Sequence, residues 1–187
     1  EIKDIILDGV KFEAKNEKQA LSQGIVYVSE DRKKEGLVLG MSVAKNVTIS
    51  SLGRFSKGQL INKKQEKESV LHYKDAMRIK TPSLDQSVKL LSGGNQQKVS
   101  IAKSLSTQPK ILIMDEPTRG VDVGAKKEIY ELMNEFKRNG LGILMISSEI
   151  PELLGVCDRI MVMSEGKIAG VLSRDKANSN EIMRLAI

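Results

Sequence analysis

The chain has 187 residues, 40% of them hydrophobic, 29% charged and only 3% aromatic, with a formal net charge of +6. That length suits one domain, or one domain with a subdomain, and so few aromatics leave little for stacking on single-stranded nucleic acid. One cysteine, Cys157, excludes an intrachain disulfide, and with His72 as the only histidine a zinc centre lacks ligands.

No apolar run approaches the ~20 residues that span a bilayer. The positive charge favours anionic partners weakly, and a solvated lysine-rich surface accounts for it equally well. The chain opens on Glu1, directly in an apparent strand, which suggests a fragment of a longer protein.

In chain order, "IKDIILDGVKF" reads as a strand, an Asp-Gly turn and a second strand. "EKQALSQG" is a short helix closed by Gly24. "IVYV", Ile25 to Val28, is a β-branched run suited to a buried strand, and the charged "SEDRKKEG" interrupts it as a loop. "MSVAKNVTI" is a short helix, "LGRFSKGQ" a glycine-containing connection. "NKKQEKESVLHYKDAMRI" is a helix, with Asn62 and Gln65 at capping-box spacing. "KTPSLDQSVKLLSGG" is irregular, since Pro82 breaks the helix.

The second half alternates. "NQQKVSIAKSLST" is helical, "KILIMDEP" a strand entering a loop, and "AKKEIYELMNEFKRNG" an amphipathic helix ended by Gly140. "LGILMISSE" is a strand and "PELLGVC" a short helix. "RIMVMSEGKIAGVL" is a hairpin turning at Glu165-Gly166, and "SNEIMRLAI" a last helix. Helices alternating with buried aliphatic strands predict a parallel sheet in an α/β fold.

Two stretches carry chemistry. In "ILIMDEPT" four apolar residues bury a strand and two carboxylates, Asp115 and Glu116, follow at its end. Ligands of parallel sheets sit at that end. On a strand-like backbone the two would point to opposite sides, one toward Mg²⁺ and the other toward a water. In "LLSGGNQQ", Ser92 can cap a helix, while Gly93 and Gly94 admit close approach of a ligand to amides that attract anions. Each alone has an ordinary reading, an acidic surface turn or a helix cap. The order SGG, helix, Pro109 turn, buried strand, DE is far more specific.

With these motifs the sequence resembles the ATP-binding domains of ABC transporters. "LSGGNQQ" is similar to their signature motif and "ILIMDEP" to their Walker B strand. "GVDVG", with Asp122, resembles the D-loop; "YVSEDR" falls at the Q-loop and "ISSE" at the switch histidine. "SEDRKKEGLVLGMSVAKN" and "DEPTRGVDVGAK" resemble, more narrowly, the second ATPase domain of chains that power ribose-, galactose- and xylose-type importers.

The resemblance implies a partial P-loop NTPase (ABC ATPase) core with a parallel sheet, an N-terminal β-hairpin and a helical subdomain. The boundaries are 1–36 for the strands and Q-loop region, 37–91 for the helical subdomain, and 92–187 for signature helix, Walker B, D-loop and C-terminal core. It implies ATP and Mg²⁺ as ligands, Glu116 as catalytic base and Asp115 as the Mg²⁺ residue, with Glu30 able to join it. Ser92, Gly93, Gly94, Asn95 and Gln96 would hold a nucleotide mounted on a second ABC ATPase domain.

The implied partners are that second domain, transmembrane permease subunits and, indirectly, a periplasmic or extracellular sugar-binding protein, with no direct nucleic acid. The implied location is the cytoplasmic face of the cell membrane, as a peripheral protein. Three departures matter. No glycine-rich loop ending in Gly-Lys-Ser or Gly-Lys-Thr occurs, so the chain is expected to begin after the P-loop and to bind ATP weakly by itself. Glu30 stands where the family has a glutamine, and Ser148 where it has the switch histidine. The two composite sites of a full protein are therefore expected to be unequal. Two other readings remain open: a soluble ABC ATPase acting on nucleic acid or ribosomes, and a non-enzymatic half-domain that only lends its signature motif.

Overall fold

In the computed structural model, residues 5–58 and 60–187 are described, and they fall into two compact units, 1–144 and 145–187. The first opens with the hairpin β1 (Ile6–Leu7) and β2 (Val10–Lys11). Its turn is Asp8-Gly9, both at positive φ (51° and 77°), the backbone that this dipeptide tolerates. The expected strand residues Ile2 to Asp4 lie outside the described residues. Helix α1 (Glu17–Ser22) is capped by Asn16 and followed by Gly24 at φ 93°.

Strand β3 (Ile25–Val28) then pairs in parallel with β6 (Ile111–Asp115), with Ile25 opposite Ile111 and Val28 opposite Met114. β7 (Gly142–Ile146) continues the order β3-β6-β7, and the Gly142 N–H donates to the Lys110 carbonyl at 2.9 Å. The parallel sheet expected from alternating aliphatic runs is thus present.

Between β3 and β6 lie α2 (Val43–Thr48), α3 (Lys63–Ala76) and α4 (Gly93–Leu105). These three pack on one another, and α4 also packs on β3. Val43, Val47, Val70, Met77 and Val99 are fully or almost fully buried, as are Leu112 and Met114 of β6. Each such side chain contributes roughly 1.5–3 kcal/mol of transfer free energy, and the core is almost wholly aliphatic, with Phe55 the aromatic among the buried hydrophobic side chains. α5 (Val123–Arg138) buries Ile129, Leu132 and Met133 along one stripe.

Two segments are more ordered than expected. "SEDRKKEG" is not an open loop: Arg32–Gly36 forms a π-helical turn, started by Asp31, whose carboxylate accepts from the Lys33 and Lys34 amides. "LGRFSKGQ" is part of a 3-10 turn (Ile49–Phe55) running into the hairpin β4 (Ser56–Lys57) and β5 (Leu60–Ile61). Residues 37–91 stay within the first unit, whose boundary falls at neither 36/37 nor 91/92.

The second unit holds α6 (Ile150–Val156), the hairpin β8 (Arg159–Ser164) and β9 (Lys167–Ser173), and α7 (Ser179–Ala186). The hairpin turns at Glu165-Gly166 (φ 49° and 76°), as the sequence predicts. Ile160, Val162 and Ile182 form its core, with Leu153, Leu172 and Leu185 packed around them.

Candidate functional site

The parallel register brings the ends of β3 and β6 together. Tyr27 Oη donates to Asp115 Oδ2 at 2.7 Å. Bonding to that carboxylate, with a smaller desolvation, holds the phenol above its ordinary 10.0. β6 stops at Asp115, and Glu116 lies in the left-handed region at φ 42°. The expected alternation of the two carboxylates across a strand therefore does not extend to Glu116. A turn places it, closed by the Arg119 N–H donating to the Glu116 carbonyl at 3.0 Å. A non-glycine residue held at such a φ costs of order 1–3 kcal/mol, and such strain clusters at active sites. Pro117 and Thr118, the two central residues of the turn, are buried.

Glu30 forms an ion pair with Arg119. Both line a cavity of about 260 Å³ with Asp31, Arg32 and Lys33. Sequence reasoning set Glu30 beside Mg²⁺; its observed partner is a guanidinium. Among the described residues no group of three or more His, Cys, Asp or Glu side chains could hold a metal. Mg²⁺ requires no such cluster, because it takes one or two carboxylates and completes its shell with water and phosphate oxygens. Asp115, at the carboxyl end of a parallel strand, fits that demand.

At the signature stretch, Ser92 caps α4 as expected, accepting from the Asn95 amide (3.4 Å) and from Asn95 Nδ2 (3.0 Å). Asn95 Oδ1 accepts from the Lys80 amide at 2.8 Å, tying the cap to the chain after α3. The glycines have a reason internal to the domain. A Cβ on Gly94 would lie 2.6 Å from Ala125 Cβ, and one on Gly93 would lie 3.0 Å from the Gly120 carbonyl oxygen. They let α4 meet the start of α5. Gln96 departs from the sequence assignment: it is 5% exposed and its amide donates to the Val88 carbonyl at 3.2 Å. Its place is inside the domain, because the face of α4 that carries it is the buried one.

Asp122 caps α5, its Oδ1 accepting from the Ala125 amide at 2.9 Å. Lys98 of α4, 3% exposed, pairs with Glu128 of α5 and also donates to the Arg78 carbonyl at 3.2 Å. That pairing, chiefly its hydrogen bond, holds the Glu128 carboxyl below its ordinary 4.5. Ser148 belongs to the second unit. Beside it the Ser147 hydroxyl donates to the buried Glu152 carboxylate at 2.9 Å and accepts from the Glu149 amide at 3.0 Å.

Arg32 was missed by sequence reasoning. It is 9% exposed, and its guanidinium donates to the Arg119 carbonyl (2.8 Å) and the Gly120 carbonyl (3.3 Å). Burial pushes it below the ordinary arginine value. The one available signal was an arginine inside a charged run that looked like solvent-exposed loop.

An α/β core with paired carboxylates at a parallel strand's end and a glycine-started helix beside it is the architecture of a nucleotide-binding cassette. Solved structures share it. MJ1267, an ATP-binding cassette of an ABC transporter, superposes with a TM-score of 0.79 at 22% identity, covering 96% of this chain and 75% of that one. cbiO1 from Clostridium perfringens, part of the ABC transporter complex cbiONQ, gives 0.77 at 23% identity, covering 95% and 68%.

The ABC transporter family model matches residues 2–119, and the chain belongs to that family. It is 54% identical over 185 residues to the ribose import ATP-binding protein RbsA of Clostridium perfringens strain 13 / Type A, covering 98% of this chain. An equal match is found in strain SM101 / Type A. The chain spans 37% of the length of these curated relatives.

Proposed function

We propose that this chain is part of the ATP-hydrolysing subunit that powers ABC-type import of a monosaccharide, ribose in particular. The observation that carries the reading is the edge of β6, where Asp115 is held by Tyr27 and Glu116 follows in a left-handed turn. The sugar class is supported by the 54% identity to a protein named for ribose import.

In this reading Glu116 takes the proton from the water that attacks the γ-phosphate, help typically worth ~10²–10⁴ in rate. Asp115 would hold Mg²⁺, which neutralises charge on the phosphates. Ser92, Gly93 and Asn95 face the nucleotide of a second ABC ATPase domain, with Gly94 buried behind them against α5. The N–H groups at the start of α4 and its dipole favour an anion there. Asp122, the cap of α5 just after the Glu116 turn, lies along the same partner. Among the described residues no helix is long and apolar enough to cross a membrane. The subunit acts from the cytoplasmic face on transmembrane permease subunits, which a sugar-binding protein supplies from outside.

The test is uptake of labelled sugar by vesicles holding a full-length importer chain that carries this segment, together with its permease. ATP-dependent uptake of ribose in preference to galactose and xylose supports the reading. ATP turnover stimulated by nucleic acid or ribosomes, with no uptake of any sugar, overturns it.

A further inference from the structure

The π-helical turn Arg32–Gly36 is buried at its two ends, Arg32 and Gly36, and tied to its surroundings there. Ser29 Oγ donates to Glu35 Oε2 at 2.5 Å, which closes the segment on itself. Lys103 of α4, half-buried, donates to the Gly36 carbonyl at 2.6 Å. A Cβ on Gly36 would lie 2.9 Å from Ser100 Oγ, so this backbone rests directly on α4. At the other end Arg32 reaches across to the turn that follows Glu116, bonding the carbonyls of both Arg119 and Gly120. The same guanidinium lies against the start of α4: a Cβ on Gly93 would be 3.1 Å from Arg32 Nη2. One side chain therefore touches the carboxylate turn and the glycine cap at once. A planar fork with several donors can serve two carbonyls while keeping its charge; an ammonium cannot hold both in fixed directions.

We propose that Arg32 is a positioning residue that links the two half-sites of this domain, the Glu116 turn that serves its own nucleotide and the Gly93 cap that serves the partner's. The proposal rests on the ATPase reading above. Arg32 touches neither nucleotide. It sets the distance between two elements that must engage two nucleotides in one closed dimer, so its loss is felt in kcat rather than in the KM for ATP.

The experiment uses the full-length importer chain with its permease, unaltered and as Arg32→Lys. Steady-state ATP turnover is measured together with amide hydrogen exchange. The expected result is a fall in kcat of at least about tenfold with KM changed less than about threefold, since misplacing reacting groups by an ångström is worth up to 10²-fold. Exchange should quicken together at Asn95 and Gln96 and at Arg119 and Val121, amides bonded within the two linked turns, and stay unchanged in β8 and β9. A merely structural role predicts faster exchange throughout. Turnover within twofold of the unaltered protein, or quickening at one turn alone, overturns the proposal. Should Arg32→Lys fail to fold, the unaltered protein still decides: the two sets of amides must open at one shared rate, and two unrelated rates overturn the link. An unaltered protein without ATP turnover sinks the ATPase reading, and the exchange result then judges the link by itself.

Discussion

The turn after β6 and the glycine cap of α4 are both candidate phosphate-handling elements, yet they are held by opposite means. The turn is placed by backbone strain at Glu116, a single phenol on Asp115 and the Arg32 bonds beneath it. The cap is placed by the absence of side chains, because Gly94 is buried against Ala125 with no room for a methyl group. Two glycines at a helix start are readily taken as room for a ligand. In this chain they first make room for the domain's own α5, and what is left for a ligand is the exposed Ser92 with the half-buried Gly93 and Asn95 beside it. The carboxylate turn should therefore respond to substitution through chemistry, and the glycine cap through packing.

The largest effect belongs to Glu116→Gln in the full-length chain. It keeps the shape and removes the base, so turnover at that site should fall by ~10²–10⁴. Single-turnover hydrolysis that proceeds at the unaltered rate would remove Glu116 from the chemistry and leave the turn with no role that the cap lacks.

Next comes Gly94→Ala, an added methyl whose Cβ would lie 2.6 Å from Ala125 Cβ. Overpacking of this kind costs typically 1–3 kcal/mol, read as a lowered urea midpoint. Gly53→Ala is the control, since nothing lies within 4 Å of a Cβ there. Combining Gly94→Ala with Ala125→Gly should recover part of the loss, with a coupling energy of about 0.5–3 kcal/mol for residues in direct contact. Strict additivity would show that the cap is not held by this packing.

These tests also mark how far the sequence was legible. The buried strands, the Asp8-Gly9 and Glu165-Gly166 turns and the Ser92 cap follow from local chemistry: β-branched runs, residues tolerant of positive φ, a hydroxyl ahead of free amides. What was hidden depends on partners distant in sequence. Charged "SEDRKKEG" looks solvated because nothing local shows that Lys103 and Ser100 wait for Gly36, or that the carbonyls of Arg119 and Gly120 wait for Arg32. Gln96 falls on the inner face of α4 because of how that helix docks, which a motif read as a line of letters does not reveal.

The docking of α4 on α5 has a pH signature of smaller size. Glu128 is held below 4.5 mainly by its hydrogen bond from Lys98. A carboxyl depressed in the folded state contributes stability that is present above its ordinary pKa and lost as pH falls through the folded value. The urea midpoints of the unaltered chain and of Glu128→Gln should thus differ near neutrality and converge in acid. A gap that stays constant down through that range would mean that the Lys98 pair does not hold the helices.

The smallest effect tests the carboxylate turn without disturbing it. Tyr27 keeps its proton above the ordinary 10.0 because Asp115 accepts its hydrogen bond and repels the phenolate. A raised phenol leaves the bond intact below the ordinary value and loses it as pH rises through the folded one, so activity near neutrality should owe no pH dependence to this pair. Among the chain's three tyrosines, burial raises Tyr73 as well, and the difference in ultraviolet titration between unaltered protein and Tyr27→Phe isolates the Tyr27 phenol. In an Asp115→Asn background that group should titrate closer to 10.0, since the amide still accepts a hydrogen bond but carries no charge. Both titrations coinciding would mean that the charge of Asp115 does not raise the phenol, leaving the hydrogen bond and desolvation as its causes. The phenol would then act on Asp115 as a neutral donor, and the electrostatic hold on the turn after β6 would fall to Arg32, whose guanidinium bonds the Arg119 and Gly120 carbonyls.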